Sequence, residues 1–204
     1  MIKQDTISNN NGEKLFVESY VPDNIKSTII FCHGITGCRK GRTRDDDYFQ
    51  VLAKKLMDLN YKVVLFDYSG HGDSEGNDYD VSLSKNTGEL EIIFQNTVQD
   101  KTKVKFLAFS YGAAVLCNFL QQHTELVPQS MVFYSPCLFP LQSCFLNADS
   151  IFGKDVVREY ENGAMNKNGF AVVGAKGFRL GKEMLTDCEG FVPDYLGKFS
   201  KDIL

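Results

Sequence analysis

Histidine is scarce in this sequence of 204 residues, which has His33, His71 and His123 and none beyond position 123. Long apolar runs are absent too, since runs such as MVFY at 131–134 fall far short of the roughly 20 residues that span a bilayer. The N-terminal stretch MIKQDTISNNNGEK has neither the apolar core nor the small-residue cleavage site of a secretory signal. We therefore expect a cytoplasmic protein with no membrane partner.

Cysteine spacing that would indicate a metal site is also absent. The six cysteines, at positions 32, 38, 117, 137, 144 and 188, form neither a CxxC pair nor a zinc pattern. Cys32 and Cys117 fall within apolar segments, where a thiol behaves as a small hydrophobic group. We expect free, buried thiols rather than disulfides or metal ligands, with Cys38 set apart by its place in a glycine-rich loop.

A strong excess of charge of one sign is lacking as well, because the net charge is −4. This balance gives no reason to expect nucleic acid or an anionic membrane as a partner. One loop, beginning GITGCRKGR, carries Arg39, Lys40, Arg42 and Arg44 but lacks the G-K-[ST] ending of a phosphate-binding loop. We expect this loop to be solvated, open to an acidic group of a substrate, and we expect no cofactor.

Short apolar segments alternate with helical patterns over the first two thirds of the chain. The apolar segments at 15–20, 27–33, 61–67, 104–109 and 130–136 are predicted strands, and 49–57, 87–98 and 111–123 are predicted helices. This order is typical of βαβ units, so we predict an α/β fold with a mostly parallel sheet flanked by helices. From Cys137 the alternation stops, and helical patterns are confined to 154–160 and 179–185.

The serine at position 110 lies between a predicted strand and a predicted helix. Leu107-Ala108-Phe109-Ser110-Tyr111-Gly112 is a variant of the G-x-S-x-G pattern. A serine hydroxyl needs a sharp turn to project into a pocket, and small residues at Ala108 and Gly112 let strand and helix approach closely. The alternative is a serine turn that only packs the helix on the sheet.

Two further motifs follow earlier strands. His33-Gly34-Ile35-Thr36-Gly37 comes after the strand at 27–33, and a run from Asp67 to Gly76, containing GHGDSEG, comes after the strand at 61–67. With the serine turn they extend over residues 27–136, roughly half of the chain. Taken together, they resemble the α/β-hydrolase superfamily and, within it, the serine-aminopeptidase-like hydrolases that include bacterial cinnamoyl and feruloyl esterases.

The resemblance implies roles for particular residues. Ser110 would be the catalytic nucleophile, and the backbone N–H groups of Ile35 and Tyr111 would form the oxyanion hole. His71, Asp73 and Ser74 are expected only to brace the loops under the site. Residues 1–136 would then be the hydrolase core, 137–190 a cap-like insertion, and 191–204 the lead-in to a missing C-terminal part of the core with its last strands.

A general base is missing from this scheme. In the family the acid and the histidine follow the serine along the chain, but no histidine here follows His123. His33 and His71 belong to the two loop motifs, and a helix of 1.5 Å per residue puts His123 roughly 20 Å from Ser110, at an exposed helix end. We expect a truncated chain; a partial homologue without catalysis and completion by another chain are the alternatives.

The resemblance implies cleavage of small acyl esters through an acyl-enzyme on Ser110, weak or absent in this chain because the triad is incomplete. Phe139, Phe145, Phe152 and Tyr160 are candidates for lining an acyl pocket, with simple packing as the alternative. An acyltransferase or thioesterase would use the same serine. A non-catalytic binding module is the alternative from another class, and the sequence gives no oligomeric state.

Overall fold

A six-stranded sheet lies at the centre of the computed structural model, which describes residues 1–42, 45–147, 149–150, 152–161, 163–174 and 177–195. Its strands are β1 (Ile2–Ser8), β2 (Lys14–Tyr20), β3 (Ser27–Cys32), β4 (Tyr61–Phe66), β5 (Val104–Phe109) and β6 (Ser130–Tyr134). Across the sheet their order is β1-β2-β4-β3-β5-β6. Neighbours from β4 to β6 are parallel, whereas β1, β2 and β4 pair antiparallel. This confirms the predicted α/β class.

Three helices connect the strands: α1 (Tyr48–Asp58), α2 (Leu83–Thr97) and α3 (Gly112–Gln122). Helix α2 begins before the predicted start at position 87 because Ser82 caps it, its side chain accepting a hydrogen bond from the N–H of Lys85. None of the helices in the described part of the chain is long and apolar enough to cross a bilayer.

Both faces of the central strands are buried, which explains why these strands read as continuous apolar runs. Successive side chains of a strand point to opposite faces, so β3 directs Ile29 and Phe31 towards Phe49 of α1. Ile30 and Cys32 of the same strand join the larger cluster that contains α2 and α3. The central sheet is thus the middle of three layers, and its loops emerge at the carboxyl ends of β3, β4 and β5.

Strand β1 was not predicted, because its sequence IKQDTIS has little apolar content and nearly all of its side chains are exposed. Its pairing with β2 explains its presence, since the two strands are in register from Ile2 opposite Tyr20 to Ser8 opposite Lys14. A strand held by backbone pairing at a sheet edge needs no buried face of its own, and periodicity alone therefore misses it.

After β6 the chain continues through a π-helical turn (Leu141–Phe145), α4 (Gly153–Glu161), α5 (Ala164–Asn168), β7 (Phe170–Val173), β8 (Phe178–Gly181) and α6 (Lys182–Asp187). The predicted helix at 179–185 is wrong in its first half, because Arg179 and Leu180 belong to β8, which pairs antiparallel with β7. Phe145, Val156 and Met184 enter the same apolar cluster as the sheet. The boundaries of a cap at 137–190 stay a prediction.

The start of α3 packs directly against the end of β3. A methyl group on Gly112 would lie 2.3 Å from the carbonyl oxygen of Cys32 and 2.7 Å from that of His33. Only a glycine lets the helix come this close to the strand backbone. Ala108, on β5 opposite Cys32, is fully buried, so the small residues on both sides of Ser110 have the packing role that the sequence predicted.

We predict that Gly112→Ala lowers the free energy of unfolding by about 2 kcal/mol or more, because the added methyl group must push the helix away from β3. Gly88→Ala is the matched control, since Gly88 lies within α2 and a methyl group there meets nothing within 4 Å. That change should raise the stability by about 0.5–1 kcal/mol. Urea unfolding followed by circular dichroism measures both, and equal effects would contradict the close approach.

Candidate functional site

Ser110 lies in a sharp turn between β5 and α3. Its φ of 52° is in the left-handed region, which residues other than glycine seldom adopt. Its N–H donates to the carbonyl oxygen of Tyr134 at 3.1 Å, and its own carbonyl accepts from the N–H groups of Ala113 and Cys137, both at 3.0 Å. Hydrogen bonds from the helix and from the end of β6 therefore hold the strained backbone in place.

The hydroxyl of Ser110 is not used by the fold. The residue is partly exposed, and its Oγ has no hydrogen-bond partner among the residues that the structure describes. A methyl group on Gly34 would lie 3.2 Å from Cβ of Ser110 and 3.2 Å from the ring of Phe109, so Gly34 brings the loop after β3 against the serine. The two motifs that the sequence placed 76 positions apart therefore meet.

The peptide between Gly34 and Ile35 is held from one side. The carbonyl oxygen of Gly34 accepts hydrogen bonds from Nδ1 of His33 at 2.8 Å and from the N–H of Gly37 at 2.9 Å. Because a trans peptide is planar, fixing this carbonyl directs the N–H of Ile35 the opposite way. The loop thus fixes the direction of one of the two predicted donors.

The backbone N–H groups of Ile35 and Tyr111, the two predicted donors, have no hydrogen-bond acceptor among the described residues. Tyr111 directly precedes α3, and the first N–H groups of a helix have no acceptor within it. The Tyr111 side chain is buried, and its hydroxyl lies 3.3 Å from Oδ1 of Asn86. Both N–H groups are therefore without an acceptor among the described residues, and that of Tyr111 lies at the positive end of α3.

His33 supports this loop and is not a proton acceptor for Ser110. Its Nε2 accepts the N–H of Tyr68 at 3.1 Å, while Nδ1 donates to the Gly34 carbonyl, so both ring nitrogens are occupied. Burial, helped by the neighbouring charge of His71, lowers the pKa of His33 to about 3. The ring is neutral at physiological pH and serves as a connector between the loops after β3 and β4.

The loop after β4 has the bracing role that was predicted for it. The ring nitrogens of His71 contact the carbonyl oxygens of Ser69, at 2.9 Å, and of Ile35. Ser74 Oγ donates to the carbonyl of Asp67 at 2.7 Å and accepts the N–H of Phe16 at 2.8 Å. These contacts join the loop after β4 to the loop after β3 and to strand β2.

Arg39 corrects the prediction of a solvated basic loop. Its side chain is only 5% exposed, and Nη1 lies 2.6 Å from the fully buried Asp67 and 2.7 Å from Asp73. Its backbone N–H also donates to Asp67 at 2.6 Å, and the guanidinium lies 4.1 Å from the centre of the Phe16 ring. The prediction failed because the carboxylate that binds Arg39 comes from a loop distant in sequence. Arg44 lies outside the described residues.

The remaining histidine also lies away from Ser110. His123 ends α3, where its ring nitrogens lie 3.6 Å from Glu91 and 3.7 Å from Glu125 and its ring packs on Phe119. It is half-buried, not fully exposed as predicted, because α2 supplies Glu91 beside it. None of the three histidines hydrogen-bonds to Ser110 within the described residues.

The aromatic residues proposed for an acyl pocket have different surroundings. Phe145 is fully buried in the core, Phe152 packs against that core, and Phe139 is 43% exposed. Phe145 therefore has a packing role rather than a pocket role. The side chain of Tyr160 lies outside the part of the chain that is described.

The cysteines match the expectation of free thiols. None of the six forms a disulfide in the described structure, and all are buried except Cys144, which is half-buried. Cys38 is not exposed by its loop, and burial raises the pKa of its thiol. No group of histidine, cysteine and acidic side chains within the described residues could hold a metal ion.

A polar cavity of about 510 Å³ lies between the β1–β2 turn and α2, away from the serine turn. Several of its polar groups already bind one another: Lys85 lies 3.0 Å from Glu13, and Asn9 donates to Glu13 at 2.7 Å and to Glu89 at 2.8 Å. These bonds give part of the polar lining a structural role, so Ser110 and its loops remain the better candidate site.

We predict that Arg39→Met lowers the free energy of unfolding by about 3–5 kcal/mol, because Asp67 is then left charged and buried without its partner. Arg158→Met removes a matched pair at the surface, where Arg158 is 54% exposed and lies 3.2 Å from Asp155. That change should cost less than about 1 kcal/mol. Urea unfolding compares them, and similar losses would refute the bridging role of Arg39.

We also predict a pH effect from His33. Its folded-state pKa of about 3 lies below the ordinary value near 6.5, so the unfolded chain binds the proton more tightly. This contribution to stability is complete above pH 6.5 and is lost as the pH falls towards 3, by up to about 1.4 kcal/mol per pH unit. His33→Gln retains a donor and an acceptor and should flatten this slope between pH 6 and 5. An unchanged slope in urea unfolding would contradict it.

Solved structures with the same fold include hydrolases and esterases. The chain is 17% identical to a putative hydrolase from Agrobacterium vitis, with a TM-score of 0.67 over 93% of this chain and 72% of that one. It is 14% identical to Est1E from Butyrivibrio proteoclasticus, solved with ferulic acid bound, with a TM-score of 0.70 over 94% and 72%. It is 17% identical to the esterase EaEST from Exiguobacterium antarcticum, with a TM-score of 0.60 over 81% of this chain and 57% of that one. At such identities the likeness shows the fold alone.

The sequence itself carries the family assignment. No curated protein matches the chain. The model of the family described as serine aminopeptidase, S33, matches residues 23–158, which is more than half of the chain and contains β3, both loops and the serine turn. With the fold and this match, the chain belongs to the serine aminopeptidase S33 family of α/β-hydrolases.

Proposed function

We propose that this protein is a serine hydrolase that cleaves small acyl esters through an acyl-enzyme on Ser110. The observation that carries the proposal is the left-handed backbone of Ser110, which places a hydroxyl without a partner in the described structure beside the loop of Gly34. A strained conformation fixed by hydrogen bonds at a strand-to-helix turn is typical of a nucleophile that must project from the sheet.

The chemistry would proceed in two steps. The Ser110 oxygen attacks the ester carbonyl carbon, the bond to the alcohol breaks, and the alcohol leaves with the proton taken from the serine. Water then attacks the acyl-serine, releases the carboxylic acid and restores the hydroxyl. In both steps a tetrahedral intermediate carries negative charge on the former carbonyl oxygen.

The N–H groups of Ile35 and Tyr111 are the proposed donors to that oxygen. Their support is that neither has an acceptor within the described residues and that the Gly34 carbonyl is held on the opposite side of its peptide. Such preorganised donors are worth roughly 10²–10³ in rate each. His33 and His71 act as positioning residues in this proposal, because they fix the Ile35 peptide from both flanks.

Proton transfer limits what this chain does alone. No described residue hydrogen-bonds to Ser110 Oγ, and the ring nitrogens of His33 are both engaged. A serine hydrolase without its base loses several orders of magnitude in rate, so we propose weak turnover for the chain by itself. The ester class is supported by esterases of the same fold, one of them binding ferulic acid.

A non-catalytic binding module is the second candidate. The same unpartnered hydroxyl favours it, because a serine with no base nearby can remain as a relic of a former active site. This candidate predicts that Ser110 has no more reactivity than an ordinary surface serine.

We predict that a fluorophosphonate probe labels Ser110 slowly and that Ser110→Ala lowers the labelling by about 100-fold or more. Ser135→Ala is the matched control, because Ser135 is an exposed serine that also has a positive φ, of 47°. It should be labelled like the wild type. Intact-mass and peptide analysis give the site, and hydrolysis of a p-nitrophenyl ester gives the turnover.

Labelling that persists in Ser110→Ala would overturn the assignment of the nucleophile. If the wild-type and Ser135→Ala proteins are both folded but unlabelled, the binding-module candidate replaces the enzyme.

A further inference from the structure

Two cysteines lie in contact on either side of the segment that follows β6. Sγ of Cys137 is 2.6 Å from Sγ of Cys144, although both thiols are free. This separation is about half an ångström longer than the bond in a disulfide. The cysteines are seven positions apart in the sequence CLFPLQSC, so their proximity results from the local fold of the chain.

Backbone bonds hold both sulfur-bearing residues in place. Cys137 donates its N–H to the Ser110 carbonyl at 3.0 Å, directly after the turn in which Ser135 has a positive φ. Cys144 lies within the π-helical turn, where its carbonyl accepts a hydrogen bond from Ser150 Oγ and the next residue, Phe145, is buried in the core. The two ends of the segment are therefore anchored independently and need little rearrangement to become linked.

We propose that residues 137 and 144 form an oxidation site, at which a hydroperoxide converts the two thiols into a reversible disulfide. The thiolate of Cys144 attacks the peroxide, which gives a sulfenic acid and, after protonation, water from hydrogen peroxide. The sulfur of Cys137 then displaces the hydroxyl as a second water. The balance is two thiols and one hydrogen peroxide to one disulfide and two waters.

The surroundings assign the two steps to different cysteines. Cys144 is the only half-buried thiol, and the hydrogen bond from Cys137 lowers its pKa, which favours a reactive thiolate. The same hydrogen bond, together with burial, raises the pKa of Cys137, which is therefore the resolving thiol. Burial, with a smaller effect of Asp187, raises the pKa of the nearby Cys188 to about 12, so Cys188 stays protonated.

The site is independent of whether Ser110 is a nucleophile, but it touches the same turn. A disulfide would close the loop of residues 137–144 directly beside the hydrogen bond from Cys137 to Ser110. Closing a short loop removes freedom from the locally opened chain. Amide hydrogen exchange at Cys137 should accordingly be slower in the oxidised protein.

The test treats the folded wild-type protein with a small excess of hydrogen peroxide, removes the peroxide and counts free thiols after unfolding in denaturant. We expect the count to fall from six to four and to return to six with dithiothreitol. Chymotryptic cleavage after Leu141 separates the two cysteines, so their peptides should stay joined only in the oxidised, unreduced sample. Cys144→Ser should form no such link, whereas Cys117→Ala, which alters a buried thiol in α3, should keep it.

Three results would overturn the proposal. They are a wild-type protein that keeps six thiols, a sulfinic acid at Cys144 without a link, and a disulfide that includes Cys188 in place of Cys137. Peptide mapping of the wild type decides among them even if a variant fails to fold.

Discussion

The close approach of α3 to the end of β3 is the constraint on which the site depends. Since the first residue of α3 lies against the carbonyl oxygens of Cys32 and His33, the chain must turn sharply between β5 and the helix. Ser110 forms that turn with a positive φ, and backbone hydrogen bonds to Tyr134 and Cys137, at and just after the end of β6, hold this conformation. The Ser110 hydroxyl and the Tyr111 N–H owe their positions to this packing, which is independent of any catalytic partner.

A second set of contacts connects the loops after β3 and β4, which lie beside the serine turn. Arg39 joins the loop after β3 to Asp67 and Asp73 after β4, and the rings of His33 and His71 connect those loops again nearer to Ile35. These polar groups bind one another, and the His71 ring of the GHG motif contacts the carbonyl oxygens of Ser69 and Ile35 rather than Ser110. If the loop binds substrate as proposed, it must be held in this way, because its own peptide donors have to remain unpaired.

Much of this could be predicted from sequence where apolar pattern and motif coincide. The strand at 104–109 and the serine turn were predicted correctly because a buried run, small residues and a helix pattern agree there. β1 was missed since its stability comes from pairing, and β8 was mistaken for a helix since its partner strand has no clear alternation. The burial of Arg39 and the contact of Cys137 with Cys144 arise from tertiary structure, which the spacing of residues in the sequence does not predict.

The central claim is that Ser110 faces two preorganised backbone donors, even though no base contacts it in the described structure. A crystal structure of the protein after reaction with a fluorophosphonate tests it most directly, because the tetrahedral phosphorus places an oxygen where the oxyanion would lie. The account predicts a bond from Ser110 Oγ to phosphorus and a phosphoryl oxygen about 2.7–3.1 Å from the nitrogens of Ile35 and Tyr111. An adduct whose phosphoryl oxygen points to solvent, away from both nitrogens, would contradict it.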